Sequence, residues 1–135
     1  MDSGGDSQVG GRIVIEMDGT RIVDLPSFFR VIGEAINGPN GYFGENMHAL
    51  SDCLRGGMGS PDELWSLRWK NSEASRRALG YEETARRYRE WQKTQWLPER
   101  DAWIQDAEQG RGETLFDTIL RIFDEESAYV TLILD

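Results

Sequence analysis

Apolar positions follow two periods along this chain. Arg12 to Met17 carries Ile13, Val14 and Ile15, and Asp18-Gly19 ends the run, so a short strand is predicted there. Behind Asp24, a capping residue, Phe28, Val31, Ile32, Ala35 and Ile36 recur at helical spacing. Pro26 falls in the first turn, where its missing N–H costs little, and Asn37-Gly38-Pro39-Asn40-Gly41 ends the helix. Met47, Leu50 and Leu54 predict a second helix, with Asn46 as its N-cap and Gly56-Gly57 as its stop. A glycine-rich turn through Pro61 leads to Glu63–Trp69, which reads as a second strand, and Ser72–Leu79 as a short helix.

Tyr81, Ala85, Tyr88 and Trp91 keep a helical period through a strongly charged segment that runs to Gln95 or Trp96. Leu97-Pro98 breaks it, and Trp103, Ile104 and Ala107 predict one more helix before Gly110-Arg111-Gly112. Thr114 and Asp117 form a capping box ahead of the stripe Leu115, Ile119, Ile122 and Phe123. Tyr129–Leu134 is a strand whose unbroken apolar run predicts burial on both faces. Strands separated by helices imply an α/β fold with a small parallel sheet, since parallel neighbours need crossover connections. Residues 1–11 have little to bury and read as a disordered tail, leaving 12–135 as one domain.

Charge narrows the partners. The 135 residues carry a net charge of −9, which repels nucleic acid and anionic membranes and suits a basic protein partner. A single cysteine, Cys53, excludes an internal disulfide framework and fits a reducing compartment. No apolar run approaches membrane-spanning length, and the first residues have no signal-peptide pattern, so a cytoplasmic, monomeric protein is expected.

Candidate chemistry concentrates between Gly41 and Gly57. The polar face of the second helix carries His48, Ser51, Asp52 and Arg55 at i, i+3, i+4 and i+7. The run Tyr42-Phe43-Gly44-Glu45-Asn46, then Ala49-Leu50, then Asp52-Cys53-Leu54 resembles the barstar family, whose members inhibit secreted microbial ribonucleases inside the cell that makes them. The resemblance covers Arg12–Leu79 and Glu113–Asp135, and Gly80–Gly112 reads as a helical insertion. It implies a three-stranded parallel sheet packed with helices, and no enzymatic activity. Trp91, Trp96 and Trp103, in the insertion, are expected to pack it onto the domain.

Family inhibitors fill the ribonuclease active site with an acidic helix and loop that imitate substrate phosphates. The resemblance then places Tyr42 on the aromatic loop, Asp52 at the central carboxylate, Gly56 at the helix end and Glu125 at a peripheral contact. His48, Ser51 and Arg55 depart from an aspartate, a tryptophan and a threonine in the best-known member. With Asn46 they complete the candidate partner-binding set, and no metal or cofactor is expected. Independently of the family, a carboxylate accepts two parallel hydrogen bonds from a guanidinium, so Asp52 suits a phosphate-binding pocket. His48, Ser51, Asp52 and Arg55 are expected to be exposed and unpartnered.

Alternatives remain for the same residues. One is an immunity protein against a toxin that is not a ribonuclease, or one that binds outside the active site. Another is a hydrolase using His48, Asp52 and Glu125, but Cys53 sits on the apolar side with Leu50 and Leu54, away from any base. The pairs Glu82-Glu83 and Arg86-Arg87 read as a solvated helix face.

Overall fold

A computed structural model describes residues 7–9, 12–56, 59–61 and 63–135. Strands β1 (Ser7–Val9), β2 (Arg12–Asp18), β3 (Trp65–Lys70) and β4 (Val130–Leu134) form one sheet in the order β1-β2-β3-β4. Strands β2, β3 and β4 are parallel, with Ile15 opposite Leu67 and Leu67 opposite Leu132. This is the α/β architecture with a three-stranded parallel core that the sequence implied. It gains an antiparallel edge strand, because Gln8 of β1 pairs with Ile13. The sequence reads Ser7–Val9 as part of a disordered tail, whereas its ladder is made by backbone groups, which leave no apolar pattern to read. The rest of that tail, residues 1–6 and 10–11, lies outside the described residues.

The described residues also form the α-helices α1 (Leu25–Asn37), α2 (Met47–Leu54), α3 (Ser72–Ala78), α4 (Tyr81–Thr94), α5 (Arg100–Glu108) and α6 (Leu115–Glu125). Asp24 and Thr114 close the capping boxes of α1 and α6. The core forms on the sheet face carrying Ile13, Ile15 and Met17 of β2 and Trp65, Leu67 and Trp69 of β3, which all pack into one cluster with the helices. Phe28 of α1 stacks on Trp69 with centroids 5.6 Å apart, and Phe116 of α6 meets Trp69 at 5.2 Å. On the opposite face, Arg68 bridges Glu16 at 3.4 Å and Asp135 at 3.3 Å. Burial of β4 on both faces is therefore not realised: Val130 is buried, Thr131 to Ile133 are half-buried and Leu134 is exposed. The strand lies at the sheet edge, and burial falls along it towards Leu134, which shares the core face with Trp69.

Helices α4 and α5 form a hairpin joined to the domain at specific points. Glu83 is buried, accepts a hydrogen bond from the Leu25 backbone N–H at 2.9 Å, and lies 3.1 Å from Arg86 and 3.0 Å from Arg87. The expected solvated face is thus an anchor: Glu83 holds the otherwise orphaned N–H that opens α1. Thr84 Oγ1 accepts from Leu115 N at 2.9 Å, tying α4 to the first turn of α6. Of the three tryptophans, Trp91 packs against the core and Trp103 lies on Tyr88 at 5.9 Å. Trp96, in the α4–α5 turn, is 64% exposed and packs nothing onto the domain. No helix among the described residues is long and apolar enough to cross a membrane.

Candidate functional site

Helix α2 is seated by its apolar side. Leu50 and Leu54 are completely buried and Cys53 nearly so, while Asn46 Oδ1 accepts the Ala49 N–H at 2.8 Å and caps the first turn. The aromatic loop before it has one ring inside and one outside. Phe43 is fully buried, edge-on to Trp65 at 6.4 Å, and Tyr42 is exposed. Gly33 makes the approach of this loop to α1 feasible, since a Cβ there would lie 2.3 Å from Gly41 O. Gly44, at φ +94°, brings the loop against α2, where its Cβ would meet Leu50 N at 3.1 Å.

The outer side of α2 displays its charges. Asp52 has 60% of its side chain exposed. It lies 3.2 Å from Arg55 Nη2 and 3.8 Å from His48 Nε2, so it is exposed as expected but not unpartnered. Both partners are themselves open to solvent, and exposed pairs of this kind contribute roughly 0–1 kcal/mol. A competing cation on another molecule would displace them at little cost. Ser51 is also engaged: its hydroxyl donates to Glu126 Oε2 at 2.7 Å and accepts from Arg55 at 3.2 Å. Arg55 Nε lies 3.5 Å from Glu126 Oε1. Gly56 follows at φ +124° in open space, a conformation that favours glycine at a helix end. Gly57, the other expected helix stop, lies outside the described residues.

Glu126 was not among the expected site residues, yet it organises this face from below. It is buried at the end of α6 and receives both Ser51 and Arg55. The signal was present, because Glu126 continues the stripe of Ile119, Ile122 and Phe123 at i+7, i+4 and i+3. Its neighbour Glu125, the expected contact, is exposed beside it and bridged to Arg121 at 3.2 Å. Tyr42 also stands close to α2: partial burial, with the nearby Glu45 and Cys53, pushes its phenol pKa up.

Cys53 lacks the setting of a nucleophile. Burial, reinforced by the Asp52 carboxylate, pushes the Cys53 thiol up, opposite to the shift that activates a cysteine. His48 is almost wholly exposed while Cys53 is buried, so the two share no cleft. Among the described residues, no group of three His, Cys, Asp or Glu side chains is placed to hold a metal ion.

The fold and this face define an α/β domain that presents a capped, charged helix beside an exposed aromatic. The chain belongs to the barstar family: the family model described as Barstar (barnase inhibitor) matches residues 12–104. That family is one of inhibitors, and the match runs from β2 into α5, including all of α2 and its aromatic loop. No curated protein matches the chain.

Proposed function

We propose that the protein inhibits a secreted ribonuclease by placing α2 over its active site, with Asp52 occupying the position of a substrate phosphate. The observation that carries this reading is the setting of Asp52. It is an exposed carboxylate on a helix fixed by a completely buried opposite face and a side-chain cap. Ribonuclease sites hold cationic groups to bind phosphate, and a rigid carboxylate meets them with little entropy to lose. Tyr42 supplies an aromatic contact beside α2, and His48 and Arg55 flank the carboxylate. Gly56 leaves the helix end open, and Glu125 lies at the edge. Asn46 acts through the cap and Ser51 through Glu126, so both position the face. In this reading the protein works in the cytoplasm as an immunity protein for the cell that secretes the enzyme.

A second reading rests on Arg55. Its 3.2 Å contact with Asp52 partly neutralises the mimic, which favours a toxin whose site is less cationic than a ribonuclease's, or docking beside the active site. The two are separated by an inhibition assay against barnase and related secreted ribonucleases. Stoichiometric inhibition that is competitive with a dinucleotide substrate supports the first. Binding without competition supports docking outside the active site.

A further inference from the structure

A groove of about 790 Å³ opens between the first turn of α1, the start of α2 and the α4–α5 hairpin. Pro26, Phe29, Met47 and Trp91 give it apolar walls, and Arg100 lines it as the first residue of α5. Its volume is that of a ligand-sized site.

Arg100 has an unusual setting. It is only 8% exposed, and among the described residues no carboxylate lies within ion-pair distance of it. Its Nη1 donates to Gln92 Oε1 at 3.1 Å and to the Gln95 carbonyl, which holds the end of α4. Nε is enclosed and has no hydrogen-bond partner, and among the described residues Nη2 makes none either. The contrast with Arg87 is direct. Arg87 also lines the groove and its Nε likewise makes no hydrogen bond, but it has the Glu83 carboxylate 3.0 Å away as a counterion. A buried cation without a counterion is costly, and at the head of α5 the helix dipole adds to the positive potential. Nη2, which is not enclosed, is left to donate a charge-assisted hydrogen bond to a carboxylate.

The groove is continuous with the face of α2, because Asn46, Met47 and His48 border both. We propose that it receives a carboxylate-bearing side chain with an apolar stem or neighbour, contributed by the protein that covers α2, and that Arg100 binds the carboxylate. The identity of that protein rests on the inhibitor reading; the chemistry of the groove does not. Recognition would then read two opposite charges on the partner, a cation at Asp52 and an anion at Arg100. A partner with the wrong sign at either place is rejected.

4-Phenylbutyrate, titrated into the intact protein, probes the groove without any partner. The Trp91 indole N–H and Arg100 Nε–H resonances should both shift, and the neutral 4-phenylbutyramide should bind at least fivefold more weakly. Arg100→Gln should remove the difference between acid and amide. Equal binding of acid and amide to the wild type, or no binding of either at millimolar concentration, overturns the inference whether or not the variant folds. In the ribonuclease assay the two readings separate. If Asp52→Ala weakens inhibition and Arg100→Gln leaves it unchanged, the inhibitor reading stands and the groove is not part of the interface. If Arg100→Gln weakens inhibition at least tenfold with the fold intact, the groove is part of it.

Discussion

Helix α2 and the α4–α5 hairpin sit on the same domain by different means. The eight-residue α2 relies on apolar burial, with Leu50, Cys53 and Leu54 inside and every charge outside. The hairpin adds buried polar groups to its apolar contacts: Glu83 on the α1 N-terminus, Thr84 on α6, and Arg100 at the end of α4. Apolar burial is undirected, so α2 is held firmly while its outer face stays free to vary. Polar anchoring demands particular partners, so the hairpin's sequence is tied to α1 and α6. A binding surface built on α2 can therefore change its exposed contact residues without losing the fold; His48 stands where such change is tolerated, whereas Ser51 and Arg55 are tied to the buried Glu126.

This contrast can be broken from either side. The largest effect is expected for Leu54→Ala, which empties a completely buried position and should lower stability by about 2–5 kcal/mol in denaturant unfolding. Next comes Glu83→Ala, which leaves the Leu25 N–H unpaired and two arginines without their carboxylate. It should cost about 1.5–3 kcal/mol, with hydrogen exchange rising first in α4 and at the start of α1. If exchange rises evenly over the whole domain instead, the hairpin is not anchored as described.

Asn46→Ala should cost about 1 kcal/mol by removing the cap of α2, and Asn46→Ser should restore most of it. Rescue of both stability and inhibition by serine would identify Asn46 as a cap; rescue of stability alone would make it a direct contact. The smallest effect concerns pH. The Arg121 guanidinium, bonded to Glu113 at 3.0 Å, holds that carboxyl below its ordinary value of 4.5. The unfolded chain therefore takes up the proton first as pH falls. The stability Glu113 contributes is complete above 4.5 and is lost as pH drops through its folded value. Glu113→Gln should lower the melting temperature at neutral pH and flatten the acid limb, so that the two profiles converge at low pH.

Much of this was legible before the structure. Asp24 with Pro26, Asn46 and Thr114 with Asp117 marked helix starts through their side-chain chemistry, and all three caps are formed. What escaped was set by neighbours in space. The apolar run of β4 looked doubly buried because a sequence does not reveal that this strand ends the sheet. Glu83 looked solvated because its partner, the Leu25 N–H, is a backbone group 58 residues away. Glu126 was hidden behind its exposed neighbour Glu125, although its place on the α6 stripe pointed inward. Asp52 was legible as exposed, while its tie to Arg55 at i+3 depends on side-chain rotamers that the spacing alone does not fix.

The central claim is that Asp52 stands in for a phosphate, and the inhibition constant tests it most directly. Wild type, Asp52→Ala and Leu54→Val, a control for altered packing, should be titrated against the same barnase-type ribonuclease. Asp52→Ala should weaken inhibition by about 1.5–3 kcal/mol, roughly ten- to a hundredfold, while its unfolding curve matches the wild type. An Asp52→Ala variant that inhibits as tightly as wild type would contradict the account.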